Sequence, residues 1–343
     1  MAREINPSLS LQESESLKIL KELGLLRYGW FPSYDEFYHT VEPIMKKAAV
    51  HGQLEINDIA AMGNRWYSLL IIHNSGSPVF EIQPDLAKML VETDLPSDIS
   101  IELLHLPFEG IFLDFPSGIL TDTGRTFERL SITCVPDDGS FRIVYEPDKE
   151  TSTHINLHFS REELGISEDE DLPSIKKAVE TTRKLIIEDY GRMSEDEVSS
   201  MRKSQTFDDY FESDIFTFAI NAALYITSHG ADVQEDKTEV REISSELQGE
   251  KKASRREKLL GLLKKAKNRK IYICGSNLKQ SREMAAELTK EGRKLTKRFR
   301  VRGHWRNQAH GHGRTERKHV FIQPFWKGPT FAELLARDYV VRG

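Results

Sequence analysis

Helical spacing of apolar residues dominates the start of the chain. Leu17, Ile19, Leu20 and Leu23 recur on one face of the stretch from 11 to 24, and Gly24 supplies a stop, which predicts a first helix. The aromatic run Tyr28, Trp30, Phe31, Tyr34, Phe37 and Tyr38 opens a second helix reaching about Val50. Met62, Trp66, Leu69 and Leu70 mark a third, from Ile56 to Ile72, and large residues at that spacing read as core. Residues 79 to 91 read as a short amphipathic helix, with Pro96 soon after.

The period then shifts to two. Residues 110 to 115 predict a strand ending in the turn Pro116-Ser117-Gly118. Arg129 to Val135 and Phe141 to Glu146 flank Asp137-Asp138-Gly139, the signal of a hairpin. Thr153 to Phe159 alternates, which places His154 and His158 on a solvent-facing side. The acidic stretch from Glu168 to Ser199 reads as helical. Asp214 to Ser228 is apolar nearly all round and predicts a central buried helix. Residues 232 to 270 are charged throughout, as an exposed helix or linker would be; Lys270 to Cys274 reads as a strand and Lys279 to Lys290 as a basic helix.

The last segment is the densest in chemistry. Arg298 to Arg302 reads as a strand, followed by a loop rich in Gly, His and Arg and a second strand from His319 to Phe325. The elements together predict an α+β fold: N-terminal helices, a central antiparallel sheet, a buried helix and a C-terminal basic β-hairpin joining that sheet. The expected organisation is a helical section over 1–100, an α+β core over 101–231, a charged insertion or connector over 232–296, and the basic hairpin element over 297–343, packed on the core.

Charge sharpens this division. Residues 251–343 hold 26 Lys and Arg against 7 Asp and Glu, a balance of +19, while residues 1–250 carry −25. The two parts either neutralise each other within the fold or leave the basic part for an anion such as nucleic acid. At 343 residues and 38% hydrophobic, the chain can bury a real core. No run of about 18 apolar residues exists, so no membrane span is expected. The polar N-terminus lacks an apolar signal region, which points to the cytoplasm. Cys134 and Cys274, both in apolar strand-like runs, read as buried free thiols.

Two chemistries fit the C-terminal segment, nucleic-acid contact and RNA cleavage. Arg300, Arg302, Arg306, Arg314, Arg317 and Lys318 offer phosphate contacts, and His304 and Trp305 offer base contacts; Trp326 reads as an anchor. His304, His310, His312 and Arg314 also form the set that metal-independent RNA cleavage needs: imidazoles as base and acid, a guanidinium for the phosphorane. A metal is not expected, because the histidines lack nearby cysteines. Glu102, Glu109, Asp114 and Asp122 lie near apolar strand residues without the spacing of a nuclease metal site. No P-loop, dinucleotide fingerprint, nucleophile elbow or CxxC is present, so no cofactor is expected.

The stretch VRGHWRNQAHGHGRTERKHVFIQPFWKGP, with Gly303, His304, Trp305, Gly311 and Gly313, resembles the C-terminal signature of a family of phage and mobile-element proteins. The stretch IQPDLAKMLVETDLPSDISIELLHLPFEGIFLDFPSG resembles another part of it. That family includes the translation-dependent anti-CRISPR directed at the type V-A nuclease. The resemblance implies a cytoplasmic regulator that recognises a target peptide, nascent at the ribosome, and lowers target expression through loss of its mRNA. RNA is the second partner it implies. It carries over no catalytic residue and no oligomeric state.

Overall fold

The computed structural model describes residues 11–50, 56–120, 126–134, 141–145, 153–157, 164, 166–167, 171–191, 213–277, 299–301, 303–323 and 325–327. Three helices come first: α1 (Leu11–Glu22), α2 (Tyr34–Val50) and α3 (Ile56–Asn74). Ser33 and Glu36 form a reciprocal cap at the start of α2. The Glu36 N–H donates to Ser33 Oγ at 3.1 Å, and the Ser33 N–H donates to Glu36 Oε2 at 3.2 Å.

Residues 78 to 91 divide into two elements, where alternation and helical spacing overlap. Strand β1 (Pro78–Ile82) carries Val79, Phe80 and Ile82; helix α4 (Pro84–Val91) starts on a proline, whose missing N–H costs nothing in a first turn. The next strand, β2 (Gly110–Leu120), runs through Pro116 and Gly118, with its register broken between Asp114 and Ile119. The expected turn is therefore an irregularity within one strand. Strands β3 (Thr126–Cys134), β4 (Phe141–Tyr145) and β5 (Thr153–Leu157) continue antiparallel from it. Helix α5 (Ile175–Gly191) and helix α6 (Ser213–Thr227) follow.

The charged segment from 232 builds structure of its own. Strand β6 (Val233–Glu235), helices α7 (Thr238–Gly249) and α8 (Ala253–Asn268) and strand β7 (Lys270–Cys274) are consecutive. The main sheet has seven strands in the order β5-β4-β3-β2-β1-β7-β6. It is mixed: β1 lies parallel to both β2 and β7, and the remaining pairings are antiparallel. The late strand β7 thus sits beside β1, inside the sheet, and the segment is more than a connector. The basic helix expected over 279–290 and the hairpin turn at 137–139 lie outside the described residues.

Helices cover both faces of the sheet. Alternate residues of β1 and β2 serve opposite sides: Val79 and Phe112 pack with α1, α2 and α3, whereas Phe80, Ile82, Ile111, Leu113 and Phe115 pack with α4, α5 and α6. Helix α6 is buried almost throughout, with Phe218, Ala219, Ala222, Ala223 and Leu224 at or below 1% exposure. Its one strongly polar residue at mid-length, Asn221, is fully buried as well.

Candidate nucleic-acid interface

Buried Asn221 fixes the C-terminal segment to the body. A primary amide taken out of water must find partners for both its ends. Its Nδ2 donates to the carbonyl of Leu90 in the last turn of α4, at 3.1 Å, and to that of Thr93 just past its end, at 2.7 Å. Its Oδ1 accepts the indole N–H of Trp305 at 2.8 Å. One side chain therefore joins α4, α6 and the C-terminal ribbon.

That ribbon is longer than a pair of strands around a loop. Strand β9 (His304–His310) pairs antiparallel with β10 (Glu316–Ile322), so the expected loop is itself mostly strand. Beyond an interruption, β8 (Phe299–Val301) pairs with β11 (Phe325–Lys327) in the same frame, Val301 opposite Phe325 as His304 is opposite Ile322. Among the described residues, the ribbon makes no strand pairing with the main sheet. It packs on α6 through side chains instead. Trp305 lies 5.1 Å from Phe321 and Phe321 lies 5.6 Å from Tyr225, ring centre to ring centre. The amide Nδ2 of Asn307 donates to the Asp98 carbonyl at 3.1 Å.

Period two sorts the candidate residues. Trp305 is 6% exposed, and its N–H is committed to Asn221, so its ring is a strut and presents no face for a base to stack on. His319 is buried too, 6.0 Å from Trp305. Burial, and then the neighbouring His105, hold its pKa below the ordinary 6.5, with a hydrogen bond to the Leu224 backbone partly offsetting them. The opposite side of β9 carries His304, Arg306, Gln308 and His310, facing Ile322, Val320, Lys318 and Glu316 across the ladder. Arg306 and Gln308 are exposed, and Lys318 is half-buried.

The tip completes this basic surface. Gly311 and Gly313 sit at φ +78° and +65°, in the left-handed half of the map. A side chain at Gly311 would start 2.8 Å from Glu316 Cδ. Arg314 also takes a positive φ, +58°, and it stands exposed with His312; Arg317, opposite Ala309 on the Trp305 side of the ladder, is exposed as well. Glu316 is the acid of this region, and it lies 3.2 Å from His310 Nε2, an ion pair whenever the imidazole is protonated. Among the described residues, no ion pair involves Arg306, Arg314, Arg317 or Lys318.

The histidines do not converge. His304 and His310 occupy opposite ends of one seven-residue strand, about 20 Å apart at strand rise. General acid–base cleavage needs both imidazoles at one phosphate, so the four-residue catalytic set is not assembled here. His310 ends β9, and His312 and Arg314 follow in the tip. Among the described residues, no group of three or more His, Cys, Asp and Glu is placed to hold a metal. Asp114 is engaged by Arg129, whose Nη2 donates to Oδ2 at 2.6 Å, and Glu102 and Glu109 are exposed. The side chains of Arg300 and Trp326, and the whole of Arg302, lie outside the described residues.

Two features that fix the site were not singled out in the sequence. Asn221 was legible in principle, as a lone amide in an otherwise apolar helix. Tyr225 was not: its ring meets Phe321 while its hydroxyl accepts the Asp232 N–H at 3.2 Å, tying the ribbon and the root of β6 to the same turn of α6.

The molecule is thus an α+β protein that presents a basic β-ribbon, pinned by an indole–amide contact to a buried helix. The model of the AcrVA2-like family, anti-CRISPR type V subtype A2, matches residues 80–328, which run from β1 through the ribbon. The chain belongs to this anti-CRISPR family. No curated protein matches it. Among solved structures, the chain is similar to the one titled "Crystal structure of AcrVA2", at 15% identity, with 94% of each chain covered and a TM-score of 0.44. No helix among the described residues is long and apolar enough to cross a membrane.

Proposed function

We propose that the chain lowers the expression of a type V-A CRISPR nuclease by recognising a peptide of that target as it emerges from the ribosome, while the basic ribbon rests on RNA. Family membership supports the target class. The RNA contact is carried by one observation: on the ribbon and its tip Arg306, Arg314 and Arg317 are exposed and Lys318 is half-buried, and none of the four has an acidic partner among the described residues. Arginine forks and lysine ammonium groups set along a rigid ribbon fit phosphate oxygens, and their sequence-independent contact suits any message.

The test is the affinity of purified protein for a labelled single-stranded RNA across a salt series. Four phosphate contacts at about 0.7 each give a log–log slope near −3, or about 50-fold weaker binding between 50 and 200 mM salt. The combined variant Arg306→Glu, Arg314→Glu and Arg317→Glu is expected to lose this binding and flatten the slope. RNA affinity equal to wild type in that variant refutes the ribbon as the contact.

A further inference from the structure

Helix α8, with Lys251 and Lys252 leading into it, is a second concentration of positive charge; α7, packed on it, carries Glu239, Glu242 and Glu246 against Arg241. The two helices leave the sheet between β6 and its neighbour β7 and pack on each other. Helix α7 has no buried residue, and α8 buries only Leu259, Leu263 and Ala266. Every other residue from 251 to 268 is exposed. The pair is an arm held by its own seam.

Its cations fall into two groups. The arginines stitch the arm together: Arg255 pairs with Glu246 at 2.6 Å and Arg269 with Glu239 at 2.7 Å. Arg256 Nη1 donates to the carbonyls of Leu247 and Glu250, at 3.1 and 3.0 Å, where α7 ends. The lysines project. Lys251, Lys252, Lys258 and Lys267 are exposed and make no ion pair among the described residues, and Lys264 and Lys265 are exposed beside them. Helix α8 carries six Lys and Arg against one Glu, over a length of about 24 Å.

We infer that this arm is a second docking surface, for the phosphate backbone of double-stranded RNA. The distribution of side chains selects that partner. Leu260 and Leu262, 52% and 46% exposed, are two residues apart and so point to nearly opposite sides of the helix. They form no stripe for a protein groove or a lipid surface to cover. The lysines likewise surround the helix, which fits a polyanion with closely spaced charges better than one acidic patch. No aromatic residue or histidine occurs from Thr238 to Asn268, so the arm has nothing on which unpaired bases could stack. Charge without stacking is what a duplex backbone requires.

The arm and the ribbon share a foundation. Tyr225 touches Phe321 of the ribbon with its ring and holds Asp232 with its hydroxyl. The Asp232 carboxylate accepts from the Asn277 N–H at 2.6 Å and from its side-chain amide at 3.0 Å, closing the two ends of the β6–arm–β7 unit. Both basic surfaces therefore hang from the last turns of α6, and a folded RNA can engage the two together. The phosphate contact stands on the arm alone; the choice of RNA over DNA rests on the function proposed above.

Anisotropy titrations with a short RNA duplex, the DNA duplex of the same sequence and a single-stranded RNA separate the claims. The arm variant Lys251→Glu, Lys252→Glu, Lys258→Glu and Lys267→Glu is expected to bind the RNA duplex at least about tenfold more weakly, with the salt slope reduced by about 3.6, at about 0.9 for each of four duplex phosphate contacts. Its affinity for single-stranded RNA stays within twofold. The same four positions changed to Gln, which remove charge without introducing repulsion, give the same direction of change at an unchanged thermal midpoint. RNA-duplex affinity within twofold of wild type in both variants overturns the arm as a contact. Equal wild-type affinity for the two duplexes overturns its assignment to RNA. A failure of the ribbon variant to lose single-strand binding, with the arm effect intact, removes the ribbon reading and leaves the arm.

Discussion

The contact on which the ribbon's position depends can be broken at one residue. Asn221→Leu keeps the size of the side chain and removes three hydrogen bonds; the Leu90 carbonyl still accepts from the Thr93 N–H at 3.3 Å, whereas the Thr93 carbonyl and the Trp305 indole N–H are left buried without their partner. Each orphaned group costs about 1–3 kcal/mol. With partial relaxation of the ribbon, the total is about 4 kcal/mol, a large share of the 5–15 kcal/mol that holds a typical domain. Trp305→Phe removes the indole N–H and part of a buried ring, and is expected to cost about 3 kcal/mol. Because the two residues share one bond, the double variant should cost less than the sum, with a coupling of about 0.5–3 kcal/mol. Urea unfolding of the four proteins, followed by far-ultraviolet circular dichroism, measures the cycle. A loss below about 1 kcal/mol for Asn221→Leu, or additive single-variant effects, refutes the idea that this amide holds the ribbon.

Two further outcomes follow from groups buried around the same helix. His319 is held below 6.5 by burial and by His105, so between that lower value and 6.5 the unfolded chain binds a proton that the folded chain refuses. Its contribution is complete above 6.5 and declines as pH falls through this window; a thermal melt series should show the decline, and His319→Phe should lessen it. Burial, followed by the carboxylates of Asp232 and Glu81, pushes the Cys274 thiol up to about 12. Alkylation of the native protein near neutral pH should therefore mark the half-exposed Cys134 first and reach Cys274 only on unfolding, which peptide mass spectrometry resolves; early labelling of Cys274 contradicts its place in the core.

Periodicity made much of this fold legible. The first three helices and the buried helix α6 carry their patterns openly, because each spans enough turns for apolar residues to repeat several times. Short elements defeated it. Val79, Phe80 and Ile82 are buried on alternate faces, so β1 reads as continuous with the apolar positions of α4 that follow. The parallel pairing of β1 with β7 joins residues nearly 200 positions apart, and no local pattern encodes such a contact. In the C-terminal segment, polar side chains on both faces of β9 hid its alternation. Asn307 and His319 point inward as Arg306 and Lys318 point outward, and only the ladder separates them. The same ambiguity governed Trp305, which a sequence allows as either anchor or stacking platform. Its bond to Asn221, 84 positions away, decides for the anchor.

The central claim is that the ribbon's projecting cations take part in lowering target expression. The direct measurement is the level of type V-A nuclease mRNA in cells co-expressing this chain, compared with cells expressing its Arg306→Glu, Arg314→Glu, Arg317→Glu variant at equal protein abundance. The account predicts a loss of that mRNA with the wild-type chain and recovery with the variant. Unchanged mRNA with the wild-type chain, or the same loss with both, contradicts it.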